Sequence, residues 1–196
     1  NERLLQYNPC PTNQQQNPGC GNSFHNAGGI TSRGVELGVL WKPAPWLQWY
    51  NSASYNKSTY DENLDWCTGA TCVVKQTKGK QQVDTPKEMF ASVLTVSEGG
   101  FSASLMGKYT GRRYYTYTND QSFKGYTTFD LGLGYNFGDV GPLKGAKLSL
   151  NVTNLTNKRY ATNFDSSVFA PDDAPGTLVV FHASAPRQLF GSLSFG

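Results

Sequence analysis

The chain has 196 residues, a net charge of +3, 38% hydrophobic residues, 13% aromatic residues and 21 glycines. Its mean hydropathy is -0.48, and no uninterrupted apolar run approaches the ~18–20 residues of a membrane helix, so a helical membrane protein is excluded. A net charge this small gives no reason to expect a nucleic-acid partner.

In chain order, strand-like spans fall at Leu4–Tyr7, Ile30–Lys42, Leu47–Tyr60 and Val83–Val96, then at Phe101–Tyr117, Gly125–Gly138, Ala146–Thr162 and Val179–Phe195. Successive side chains of a strand point to opposite faces, so a period of two marks one apolar face and one polar face. Phe101, Ala103, Leu105 and Tyr109 alternate with Ser102, Ser104 and Lys108. Phe129, Leu131, Leu133, Tyr135 and Phe137 alternate with Thr128, Asp130, Gly132, Gly134 and Asn136. Leu148, Leu150 and Val152 alternate with Ser149, Asn151 and Thr153. The spans carrying these runs reach the ~9–11 residues that a tilted strand needs to cross a bilayer.

The connections have a rhythm of their own. Pro43–Trp46, Ser97–Gly100 and Asp139–Gly145 are tight and rich in Pro and Gly, as turns are. Asn8–Gly29, Asp61–Gln82, Thr118–Lys124 and Asn163–Leu178 are mostly longer, polar and irregular. Short and long alternate throughout, which is the asymmetry of an outer-membrane barrel with short periplasmic turns and long external loops. A soluble β-sandwich shares the strand alternation but has no reason to gather every long loop at one end. A passive barrel of ~8 strands is a second alternative, but its interior must be filled by side chains, and the Gly, Ser, Thr and Asn of the polar face are small for that. Trp41, Trp46 and Trp49 bracket the Pro43 turn, and Tyr114, Tyr115 and Tyr117 gather at the far end of a later strand. Interfacial girdles place aromatics in this way. The expected fold is therefore all-β, an antiparallel transmembrane β-barrel.

Parity also assigns the charges. Glu36 lies between Val35 and Leu37 and Asp130 between Phe129 and Leu131, so both should face the interior, paired with a Lys or Arg of a neighbouring strand. Counted on from Ser104 and Lys108, Arg112 should point inward near the external rim. Arg113 should point outward, toward lipopolysaccharide phosphates. Pro186 and Arg187 should set the start of the last strand.

Several short motifs then take on meaning together: Ser32–Leu37 (SRGVEL), Asp84–Lys87 (DTPK), Gly107–Tyr109 with Arg112–Tyr115, Asn151–Leu155 (NVTNL) followed by Asn157–Tyr160 (NKRY), and Pro186-Arg187. In order and spacing they resemble the end of the barrel of TonB-dependent outer-membrane receptors. The resemblance implies that residues 1–196 form the C-terminal part, about eight strands, of a barrel of about 22 strands plugged by another domain, with that plug absent from this chain. It also implies a bacterial outer-membrane location and active import of a scarce solute. The implied partners are the remaining strands and plug, a TonB-type energy-transducing complex reached through the plug, membrane lipid and lipopolysaccharide, and a small-molecule ligand. No cofactor is implied. Ligand contacts would come from the external loops and upper interior wall, at Tyr60, Trp66, Lys108, Arg112, Tyr114 and Phe164. Ferric siderophores, whose anionic oxygens suit Lys108 and Arg112, and oligosaccharides, which stack on Tyr and Trp, both remain open.

Enzyme signatures are missing from the sequence, and no catalytic role is expected. Gly132 and Gly134 suggest a nucleotide loop only until their place inside a strand is noted. The four cysteines fall as Cys10 with Cys20 and Cys67 with Cys72, each pair inside one long connection. His25 and His182 complete no metal-ligand pattern, so pairing within each loop is the economical reading. Mass mapping of unreduced peptides should find Cys10 joined to Cys20 and Cys67 to Cys72. Closures this short contribute only ~2–3 kcal/mol each, so reduction should loosen the loops and leave the sheet folded. Four free thiols in folded protein, or pairing between loops, would refute it.

Overall fold

The structure is a computed structural model that describes residues 2–7, 23–68, 71–164 and 181–195. Its strands are β1 (Glu2–Tyr7), β2 (Ser23–Ala44), β3 (Leu47–Tyr60), β4 (Leu64–Thr68), β5 (Thr71–Lys75), β6 (Glu88–Glu98), β7 (Phe101–Thr110), β8 (Arg113–Tyr114), β9 (Ser122–Phe123), β10 (Tyr126–Val140), β11 (Leu143–Thr153), β12 (Ala161–Phe164), β13 (Phe181–Ala183) and β14 (Gln188–Ser194). Eight of them make one sheet in the order β1-β2-β3-β6-β7-β10-β11-β14. Every neighbouring pair is antiparallel, so the sheet is a meander. The pairs β4–β5, β8–β9 and β12–β13 are small hairpins carried by the long connections.

Turn chemistry explains the short end. Glu98 pairs with Phe101 across Gly99 (φ 56°) and Gly100 (φ 82°), the double left-handed turn that matches the twist of a hairpin. Pro45-Trp46 and Gly141-Pro142 make the other two reversals, closed by Ala44 opposite Leu47 and Val140 opposite Leu143. The long connections all leave from the other end of the sheet.

Register carries one face of apolar residues across the strands. Trp41 opposes Trp49, which opposes Leu94, which opposes Leu105, which opposes Leu131, which opposes Val152, which opposes Leu189. The row beside it on the other face is Gln48, Thr95, Ser104, Gly132, Asn151 and Phe190. Among the described residues nothing covers the apolar face: Val35 is 72% exposed, Leu37 67% and Leu193 62%. A sandwich would bury these residues under a second sheet. Hydrocarbon is the environment that suits them.

The structure departs from the sequence expectations at the strand ends. The span Val83–Val96 becomes β6 only from Glu88, because the chain turns at Asp84 (φ 53°). The span Phe101–Tyr117 ends at Thr110 and resumes as the short β8, and Ala146–Thr162 ends at Thr153, before Asn154 (φ 50°). Cys10 and Cys20 lie outside the described residues. The backbones of Cys67 and Cys72 stand directly opposite in the β4–β5 hairpin. An opposed pair of this kind has its Cα atoms at the spacing a disulfide needs.

Parity should govern tolerance to charge. Leu131→Arg or Leu133→Arg is expected to cost ~2–4 kcal/mol near the bilayer midplane. Gly132→Ser should be mild, because the added Cβ meets only the ends of the Ser104 and Asn151 side chains, at 2.7 and 3.2 Å, and these can rotate away. Equal tolerance of Arg on both faces in liposome unfolding would contradict the bilayer assignment.

Candidate functional site

Most of the buried apolar residues among those described gather where the long connections spring from the sheet. Tyr60, Leu64, Val83 and Tyr117 form a small cluster, with Ile30 packed against it. Tyr60 meets Tyr117 edge to face at 6.0 Å and 69°, and its hydroxyl accepts the Val83 N–H at 2.9 Å. Asn119 (φ 61°) accepts the Gln81 N–H with its side-chain oxygen at 2.6 Å and donates to the Gln81 carbonyl at 2.8 Å. It thus pairs with Gln81 as a strand neighbour would.

A cation sits beside this cluster. Arg113 is 6% exposed. Its Nη1 donates to Asp84 Oδ1 at 2.7 Å and to the Thr162 carbonyl at 2.8 Å. Its Nη2 donates to the Ala161 carbonyl. Its guanidinium lies 5.8 Å from the centre of the Tyr126 ring, which stacks on Tyr160 at 3.9 Å and 17°. Burial pushes the Tyr160 hydroxyl above its ordinary pKa; Tyr126 and Asp130 add to the rise, and Arg113 opposes it. The outward, phosphate-facing Arg113 expected from parity is overturned. The strand stops at Thr110, so alternation counted through Gly111 and Arg112 loses its phase.

The polar face offers a second feature, a depression of about 450 Å³ lined by Glu36, Tyr50, Ser52, Ser54 and Lys108 among others. Glu36 takes the inward parity expected of it, but its direct cross-strand neighbour is Ser54 rather than a cation. Asp130 accepts the Asn154 backbone N–H at 2.7 Å, so a backbone donor takes the place expected of a Lys or Arg and fixes the turn that ends β11.

The residues proposed from sequence scatter over these features. Lys108 lines the depression. Tyr60 is 3% exposed within the apolar cluster. Tyr114 is half-buried in β8, and its carbonyl accepts the Asp84 N–H at 2.9 Å. Arg112 is exposed between β7 and β8. Trp66 lies on β4 opposite Val73, and Phe164 on β12 opposite Phe181, each by backbone register. Sequence reasoning missed Arg113, Asp84, Tyr126 and Tyr160 as a unit. The available signal was Gly111, a break in the strand pattern between Thr110 and two arginines.

A family model described as TonB dependent receptor-like, beta-barrel, matches residues 5–155. The ferrioxamine B receptor of Salmonella typhimurium is 26% identical over 179 residues, which cover 88% of this chain and 22% of that protein. The chain thus spans about a fifth of the length of the curated relatives it matches. In fold it is similar to the siderophore receptor PiuA from Acinetobacter baumannii, with a TM-score of 0.72 and 18% identity over 99% of this chain and 24% of that one. It is also similar to the ferric yersiniabactin uptake receptor FyuA from Yersinia pestis, with a TM-score of 0.62 and 20% identity over 86% of this chain and 24% of that one.

The geometry gives Tyr60 a structural task that can be measured. Tyr60→Phe removes the acceptor of the buried Val83 N–H, an omission worth about 1–3 kcal/mol. The melting temperature of the folded protein should fall, and unchanged stability would show that the contact carries no weight.

Proposed function

The chain belongs to the β-barrel family of TonB-dependent receptors, and from that membership we propose that it forms part of an outer-membrane receptor that captures a ferric siderophore outside the cell and imports it with TonB-type energy coupling. The observation that carries this reading is the largely exposed apolar face of an antiparallel meander whose long connections leave from one end. Such a sheet is soluble in hydrocarbon and not in water, and its long connections would stand on the external side. The rest of the barrel, a plug and the energy-transducing complex would complete the machine, and lipopolysaccharide would surround the external rim.

Ferric siderophores are favoured over oligosaccharides because the relatives named above are receptors for iron carriers. The chemistry of the chain fits that class. Lys108 on the interior wall and the exposed Arg112 would meet anionic oxygens by charge-assisted hydrogen bonds. Tyr114, Trp66 and Phe164 lie in the connections above the sheet, where aromatic surfaces would flank a bulky chelate. The small residues of the polar face leave the interior open to a plug.

Deletion of the gene in its host under iron limitation, followed by uptake of radiolabelled iron from hydroxamate, catecholate and carboxylate siderophores, tests the proposal. Uptake of at least one class should disappear, return with the full-length gene, and stop when the proton-motive force is collapsed. Undiminished uptake of all three would refute it, as would flux that persists without the proton-motive force, the behaviour of a passive barrel.

A further inference from the structure

We propose that Arg113 is a positioning residue that fastens the three long connections β3–β6, β7–β10 and β11–β14 into one rim, so that they meet a ligand as a preorganised unit. Arg113 belongs to the middle connection. Asp84, which it grips at 2.7 Å, belongs to the first and lies 29 residues away in sequence. Ala161 and Thr162, whose carbonyls it also binds, belong to the third and lie 48 and 49 residues away. One buried side chain therefore bonds to all three loops at once, where each of the other ties joins only two of them.

The residue type suits the task. A guanidinium is planar, permanently charged and forked, and can reach a carboxylate and two carbonyls from one centre. A lysine ammonium in the same place is a single point with a different reach. Buried at 6% exposure, the charge must be paired or bonded on every side, so the three loops cannot part without stranding it. The surroundings reinforce the hold. Asp84 is kept at a left-handed φ of 53° while its own N–H bonds to the Tyr114 carbonyl. Asn119 ties the first connection to the second through Gln81, and the rings of Phe123 and Phe181 meet at 5.1 Å between the second and third. Arg113 is the point where these ties converge.

The consequence is thermodynamic. Loops that sample many arrangements bind through the fraction that is competent, and apparent affinity falls in proportion to that fraction. Fastening the loops in advance removes that loss. Arg113 acts here without touching the ligand, and only the affinity part of the inference rests on the receptor reading.

The test uses the full-length receptor in liposomes, with bio-orthogonal spin labels at Lys78, Lys124 and Lys158, one exposed site on each connection. Distances between the labels should be narrowly distributed in the wild type and broad in Arg113→Met. Asp84→Asn keeps an oxygen acceptor and should broaden them less. Where Arg113→Met does not assemble, Arg113→Lys keeps the charge and should still broaden the distribution. Affinity for the transported ferric siderophore should fall about tenfold if the competent fraction drops to about a tenth, with the slower on-rate that loop reordering imposes. Narrow distances in heat-modifiable Arg113→Met or Arg113→Lys protein would overturn the proposal. Wild-type protein that binds no ferric siderophore but keeps narrow distances would overturn the transport reading alone.

Discussion

Everything in this structure follows from the absence of water in the hydrocarbon layer. A backbone N–H or C=O there must find its partner in the protein, since leaving it unpaired costs several kcal/mol. A β-sheet can satisfy that demand only through its neighbours, so each strand of the meander lies beside the next in sequence. Once the backbone is paired, alternation does the rest. Each strand spends one side chain on lipid and the next on the interior, and register keeps the two sets in phase across the sheet. A mean hydropathy of -0.48 is then the expected average of two unlike faces.

The same constraint explains where the protein keeps its few buried apolar residues. A sheet with lipid on one face and an open interior on the other has no internal core of its own. Packing can begin only beyond the bilayer, where the long connections fold back on one another. Tyr60, Leu64, Val83 and Tyr117 are found there. The buried polar groups gather there too, among them Ser58, Thr77, Gln81 and Thr116, because loop backbones removed from water must still be bonded. The loop-bearing end of the sheet therefore behaves as a small globule set on a membrane scaffold.

This division decides what the sequence could reveal. Inside the bilayer the environment is uniform and the period is two, so β3 agrees with Leu47–Tyr60 at both ends, and β10 differs from Gly125–Gly138 by one residue at its start and two at its end. Beyond the bilayer nothing enforces a period. The hairpins β4–β5, β8–β9 and β12–β13 pass unnoticed, and strands extrapolated through Thr110 and Thr153 run on too far. Arg113 shows the cost of that extrapolation most clearly. Its position in the pattern promised a phosphate-facing surface charge, whereas its partners, Asp84, Ala161 and Thr162, are distant in sequence and carry no periodic signal. Four left-handed Asp or Asn residues, Asp84, Asn119, Asn154 and Asn157, shape the turns among the described residues. These types do favour such turns, but each also occurs at many positions where no turn forms.

The width of the barrel can be argued from its interior face. If the eight strands closed on themselves, β1 would have to pair with β14, and the interior would need side chains large enough to fill a barrel of ~8 strands. Among the described residues, β1 pairs only with β2 and β14 only with β11. The interior face carries Gly34, Gly38, Ser52 and Ser54 toward one side, and Ser102, Ser104, Gly132, Gly134, Ser149 and Ser192 toward the other. Leu40, Tyr50, Met106 and Phe190 share this face, but at the small positions the wall of a narrow barrel would be left with voids. A wider ring has no such filling to achieve with its own side chains. The outer edges of β1 and β14 point the same way, since in lipid their free N–H and C=O groups demand further strands. Interior size and edge chemistry are independent of one another, and both fit one arc of a larger barrel.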